Sequence, residues 1–197
     1  MKLPAIVLAG GASSRLGRPK QLLELNGETL LARTIRMARE AGSDPVLVVL
    51  GAYAHEISAS VSMADAIAVI NPEWQEGIAS SVRAGLRVLL SCVADAPGAA
   101  FLLCDQPRLS SAHVHDLIDS FHQSSDAAAV ASTYGGTRGI PAIFPRALFP
   151  RLLAIEGDKG ARSILADPHC AIAEVPFAGG EIDIDSSDDL DYLENKS

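Results

Sequence analysis

Positive charge is scarce in this sequence. Its 16 lysines and arginines face 24 acids, for a formal net charge of −8. That balance argues against general binding to nucleic acid or to an anionic membrane. Aromatic residues are few, at 5% of the chain, although 48% of it is hydrophobic. No apolar run approaches the ~20 residues of a membrane-spanning helix. Met1-Lys2-Leu3-Pro4 runs straight into a strand-like segment with no visible signal peptide, so the expected compartment is the cytoplasm. The three cysteines, Cys92, Cys104 and Cys170, are odd in number and far apart. They fit neither a disulfide framework nor a zinc site and are expected to be small core residues. His55, His113, His115, His122 and His169 show no ligand spacing and are expected at the surface or on helix faces. Repeats, low-complexity tracts and linkers are also missing, which predicts a single domain over the 197 residues.

What the chain does have is an alternation of apolar runs and helical patterns. Ala5–Leu8, Val46–Leu50, Ala66–Ile70, Ala99–Leu103 and Ala127–Ala131 read as buried strands. Between them, Leu30, Leu31, Thr34, Ile35 and Ala38 mark one helix face. Ile78, Val82, Leu86 and Leu89 mark another, and further helices are expected at Tyr53–Val61 and Ser110–Gln123. This predicts an α/β fold with a mostly parallel sheet covered on both faces. After Ser132 the pattern loosens. Tyr134–Pro141 reads as a Gly-rich loop and Ala142–Phe144 as a short strand. Two short helices, a strand-like Glu181–Asp185 and an acidic tail helix with a solvated face follow. Ligands in such sheets bind beyond the carboxyl ends of the strands. The end of the first strand and Asp105, at the end of the fourth, should therefore share one crevice.

The first strand runs into Leu8-Ala9-Gly10-Gly11-Ala12-Ser13-Ser14-Arg15-Leu16-Gly17-Arg18-Pro19-Lys20. Three cations gather there, with no acid before Glu24. The spacing is not that of a Walker A loop, because Gly17 is followed by Arg18-Pro19 rather than Lys-Ser/Thr. It is not the dinucleotide fingerprint either, since Gly10, Gly11 and Gly17 miss G-x-G-x-x-G and Pro19 would break the helix. What remains is a Gly-Gly bend whose backbone N–H groups can wrap a triphosphate. Arg15 offers a planar fork to phosphate oxygens and Lys20 a point charge.

The whole run resembles the signature of the MobA/MocA-like nucleotidyltransferases, enzymes that attach a nucleotide to the molybdenum cofactor. Further segments match in order: Asn71–Ser81, Cys104–Pro107, Arg138–Pro141, Gly157–Arg162 and Asp183–Ser186. The resemblance implies a Rossmann-like three-layer sandwich. It implies transfer of CMP from CTP to the terminal phosphate of molybdopterin, with release of pyrophosphate and magnesium (or manganese) as cofactor. A recipient molybdoenzyme is an implied partner. Two alternatives stay open: guanylyl transfer from GTP, or transfer to another phosphorylated acceptor; and a non-catalytic carrier of the cofactor. Gly10 keeps the guanylyl reading alive, because the cytidylyl branch usually has Ala there.

By the same resemblance, Leu8, Ala9, Gly10, Gly11, Ser13, Arg15, Lys20, Gln75, Gly77, Ser80 and Ser81 hold the nucleotide. Arg15, Lys20 and Asp105 carry catalysis, and Arg18 is a solvated bystander. Asp105 and Asp185 hold the metal, with Asp183 as a rival for the second position. Magnesium prefers one or two carboxylates together with phosphate oxygens and water. Arg138, Gly139, Pro141, Asp158, Gly160 and Arg162 face the acceptor, and Lys159 and Arg162, three apart, could share a helix face. Gly77 admits a close approach to a planar base. Trp74 is either core or a shield over the site. Ile140 stands where the family usually has a polar residue.

Overall fold

A computed structural model describes residues 2–124, 129–186 and 189. The chain opens with β1 (Ala5–Ala9), a five-residue strand buried at every position. A small hairpin, β2 (Glu24–Leu25) and β3 (Glu28–Thr29), precedes α1 (Leu30–Glu40). The Thr29 side chain accepts from the Ala32 N–H and caps α1. Then follow β4 (Val46–Leu50), α2 (Ala54–Ser60), β5 (Ile67–Ile70), α3 (Ile78–Cys92) and β6 (Gly98–Leu103). The remainder is α4 (Ser111–Gln123), β7 (Ala129–Tyr134), β8 (Thr137–Pro145), α5 (Phe149–Leu153), α6 (Arg162–Leu165) and β9 (Ile172–Pro176).

Seven strands form one sheet in the order β5-β4-β1-β6-β8-β7-β9. β1 pairs in parallel with β4 (Ala5 opposite Val46) and with β6 (Ala5 opposite Ala100). β8 runs antiparallel to both β6 and β7, and β9 pairs in parallel with β7. The sheet is thus mixed but mostly parallel. One apolar layer packs α1, α2 and α4 on one face, through residues such as Leu31, Ile57 and Val114. The other packs α3, α5 and α6 on the opposite face, through Val82, Leu152 and Ile164. This is the expected three-layer arrangement. It sets the carboxyl ends of β1, β4 and β6 side by side at one edge.

Several expectations are corrected. Tyr134–Pro141 is not a loop. Gly135 and Gly136 make the turn, and Thr137–Pro145 is a single nine-residue strand. Glu181–Asp185 is not a strand. Its alternation of apolar and acidic residues places Ile184 in a small cluster with Leu23, Leu25 and Leu30, with no sheet partner among the described residues. Among the described residues the last strand is instead Ile172–Pro176, at the sheet edge. Lys159 and Arg162 do not share a helix: Gly157–Lys159 is a separate 3-10 turn, and Gly160, at φ +53, breaks the chain before α6. Cys92 is exposed rather than core, while Cys104 is buried. Burial pushes the Cys104 thiol up to about 12, so it is inert packing. The expected acidic tail helix lies outside the described residues, except for Asp189.

Candidate active site

The Gly-rich loop is held from inside. Ser13 adopts a left-handed conformation (φ 48), and its carbonyl accepts from the N–H groups of Leu16 and Gly17. Its hydroxyl accepts from the Lys20 N–H at 3.1 Å, where a 3-10 turn begins. The next residue, Gln21, is fully buried. Its amide donates to the carbonyls of Ala9 (2.8 Å) and Gly11 (3.2 Å), stapling both sides of Gly10. Gln21 is not among the residues that the sequence marks for the site. The signal was an amide directly before Leu22-Leu23, in a segment that otherwise heads into the apolar interior.

Lys20 reaches across the crevice. Its ammonium lies 2.5 Å from Asp105 Oδ2 and 2.5 Å from Asp185 Oδ1. Burial pulls the Lys20 pKa down. The Asp105 charge and hydrogen bonds to both carboxylates outweigh it, so the net shift is upward and Lys20 stays charged. Asp185 arrives there because Ile184 is anchored: its side chain is fully buried and its N–H donates to the Asp105 carbonyl at 2.9 Å. The same anchor brings Asp183 close. Burial, followed by the charges of Asp105 and Asp185, raises the Asp183 carboxyl to about 6.

Asp105 Oδ1 and Asp183 Oδ1 are both buried, with no hydrogen-bond partner among the described residues. Such acceptors are costly unless a cation satisfies them. The residues therefore fit a divalent metal bound by hard oxygen donors. No three acidic, histidine or cysteine side chains come together as a complete metal cage among the described residues. That suits an ion that takes its remaining ligands from phosphate oxygens and water.

Beside these carboxylates lies a cavity of about 350 Å³. Of the residues expected to hold nucleotide or metal, Leu8, Gly10, Gly11, Lys20, Gln75, Gly77, Ser81 and Asp105 line it; Asp158, expected on the acceptor side, lines this cavity as well. Trp74 does too, half-buried on its wall. Ser80 does not: it is buried, donating to the Gly77 carbonyl and accepting from Asn71 Nδ2. Asn71, which also donates to Ser81 Oγ, is the buried hub of this segment. Gly77 has φ +100, and its missing Cβ makes room for Asp158 and Gly157. Its freedom thus serves the approach of another loop.

Arg15 and Arg18 are exposed, with no protein partner among the described residues. Ala9 is buried and presents its carbonyl to Gln21. Arg138 is paired with Glu174 at 2.6 Å, in a second cavity of about 540 Å³ at the β7–β8 turn. Gly139 leaves space for the Tyr134 hydroxyl, which donates to the Ile140 carbonyl. The Pro141 carbonyl accepts from Ser132 Oγ, which pairs with His113 Nε2 at 2.8 Å. His113 lies on the buried face of α4, stacked on Phe177. Gly160 is buried, and Arg162 approaches the Tyr134 hydroxyl at 3.5 Å.

A Gly-rich loop and clustered carboxylates at the ends of parallel strands share one crevice. The chain belongs to a nucleotidyltransferase family: the family model of the MobA-like NTP transferase domain matches residues 5–173. It is 32% identical to a nicotine blue oxidoreductase of Paenarthrobacter nicotinovorans, over 81% of this chain and 79% of the relative. It is 29% identical to the purine catabolism protein PucB of Bacillus subtilis, over 97% and 95%. A molybdenum cofactor guanylyltransferase of Rhizobium meliloti is 30% identical, over 91% and 83%. Among solved structures, Rv0371c of Mycobacterium tuberculosis H37Rv superposes with a TM-score of 0.84 at 28% identity, covering 100% of both chains. A manganese complex of that protein superposes at 0.80, with 27% identity and the same coverage. Among the described residues, no helix is long and apolar enough to cross a membrane.

Proposed function

We propose that this protein transfers CMP from CTP to the terminal phosphate of molybdopterin, releasing pyrophosphate. The observation that carries the reading is the Lys20–Asp105–Asp185 cluster beside the Gly10–Gly11 cavity. The reacting groups are both anionic, so catalysis rests on alignment and on neutralising charge. In this reading the N–H groups of Gly10 to Ser14 cradle the triphosphate. Lys20 holds phosphate oxygens at the carboxylates, and the exposed Arg15 guanidinium stabilises charge developing on the α-phosphate. Asp105, with Asp185 or its rival Asp183 whose buried Oδ1 lacks a partner among the described residues, would hold magnesium or manganese, which supplies further positive charge to the triphosphate. Arg138, Gly139, Pro141, Gly160 and Arg162 make up the acceptor side. A recipient molybdoenzyme belongs to the same proposal.

Guanylyl transfer from GTP is the second reading. Gly10 favours it: a Cβ there would lie 2.9 Å from Ser81 Oγ, so glycine leaves that corner of the cavity open. The guanylyltransferase of Rhizobium meliloti points the same way. The relatives bear names from three different settings, so the acceptor is tested together with the base. The purified protein is incubated with magnesium, molybdopterin and each triphosphate in turn, and the products are weighed by mass spectrometry. The cytidylyl adduct is expected. An adduct from GTP but not CTP overturns the base assignment, and no adduct with any triphosphate overturns the acceptor.

A further inference from the structure

One wall of the cavity is built from two segments far apart in sequence. Trp74, Gln75 and Gly77 come from the turn that precedes α3, and Asp158 comes from the turn that precedes α6. They meet where the Asp158 carboxylate lies against Gly77: a Cβ on residue 77 would collide with Asp158 Oδ1 and come within 2.8 Å of the Gly157 carbonyl. Arg83, on α3, locks the meeting. Its side chain is only 12% exposed. One terminal nitrogen donates to the Ile155 carbonyl at 2.8 Å and the other to Glu76 Oε2 at 2.7 Å. Glu76 directly precedes Gly77, and Ile155 leads to Asp158. A single planar guanidinium thus fixes both parts of the wall, a bridge the single-point ammonium of lysine reproduces poorly.

The carboxylate so placed makes no hydrogen bond among the described residues. A carboxylate is a pure acceptor. Leu8, Ile78 and Leu103 make the apolar part of the same cavity; of its side-chain donors, Lys20, Trp74, Gln75 and Ser81, the Lys20 ammonium is held by Asp105 and Asp185. We infer that Asp158 is a specificity-determining residue that accepts from the exocyclic amino group of the base, with Arg83 as the positioning residue that holds it there. This rests on the nucleotidyl-transfer reading. Cytosine and guanine both present an amino group. Uracil presents a carbonyl where cytosine has its amino group, and hypoxanthine lacks the amino group of guanine.

Trp74 is the only tryptophan in the chain and lines the same cavity, so its fluorescence reports nucleotide binding independently of transfer. The test titrates CTP against UTP and GTP against ITP, with magnesium, into the wild type, Asp158→Asn and Arg83→Lys. The wild type is expected to prefer the amino-bearing member of at least one pair by about tenfold or more, the scale of a charge-assisted hydrogen bond. In Asp158→Asn that preference should fall to within about threefold, with UTP gaining because an amide can donate to its carbonyl. Arg83→Lys should weaken binding and blunt the preference while the far-ultraviolet dichroism spectrum stays unchanged. An undiminished preference in Asp158→Asn, or none in the wild type, overturns the inference while leaving nucleotidyl transfer standing. A wild type that binds no triphosphate overturns the function reading, and the inference with it.

Discussion

Lys20 and Asp105 form an ion pair at 2.5 Å, with both side chains about 15% exposed. The same ammonium holds the more exposed Asp185. Asp105 therefore sits largely out of water with Lys20 as its countercharge, and Asp183 crowds in beside it. Lys20→Met should destabilise the metal-free protein by about 3 kcal/mol, the scale for leaving a buried carboxylate unpaired. Manganese should then raise the melting temperature of this variant by more than it raises that of the wild type. Thermal melts with and without manganese check both.

Gln21 is the second point of leverage. Its amide bridges Ala9 and Gly11, so its removal frees the buried Ala9 carbonyl and the partly buried Gly11 carbonyl on either side of Gly10. Gln21→Leu keeps the bulk and loses the bridge. Leaving buried acceptors unmet costs about 1–3 kcal/mol each. Chemical denaturation should show a loss in that range, and the nucleotide KM should rise further than kcat falls.

His113 gives the fold a pH dependence of known sign. Burial pulls its pKa below the ordinary 6.5, so the folded state favours the neutral ring. The charges of Asp116 oppose this only in part. Below pH 6.5 the unfolded chain takes up a proton that the folded chain resists. Stability from His113 is therefore complete above that pH and declines as pH falls towards the lower folded value. His113→Gln should flatten this part of the stability profile, read as denaturation midpoints between pH 7 and 5.

The fold was largely legible in the sequence because its central strands are uniformly apolar and its helices are strongly one-sided. Ala5–Ala9, Val46–Leu50 and Gly98–Leu103 are the sheet centre, where burial on both faces leaves little ambiguity. Legibility failed at the edge. Ile172–Pro176 is half-exposed and carries no strong period, while Glu181–Asp185 alternates like a strand because Ile184 plugs a satellite cluster. In the site, Gly10, Gly11, Lys20 and Asp105 come together because their motifs follow strand ends, and Asp185 joins them through the Ile184 anchor, whereas Arg15 stays exposed and outside the cavity lining. Gln21 and Arg83 escaped notice and Asn71 was named only as the start of a motif, since their work is to hold backbone carbonyls or other side chains, and such partners are visible only in three dimensions. Ser80 was read as a ligand contact for the complementary reason: its hydroxyl is spent on Gly77 and Asn71.

The central claim is that the carboxylate at the end of β6 drives nucleotidyl transfer. It is tested most directly by acceptor-dependent pyrophosphate release from wild type and Asp105→Asn, with Trp74 fluorescence following nucleotide binding in the same samples. One pyrophosphate per nucleotidylated acceptor is expected in the wild type. In the variant the rate should fall by about 10²–10³ while nucleotide binding changes by far less. Turnover that survives the substitution, or a wild type that binds cofactor tightly and releases no pyrophosphate, would contradict it.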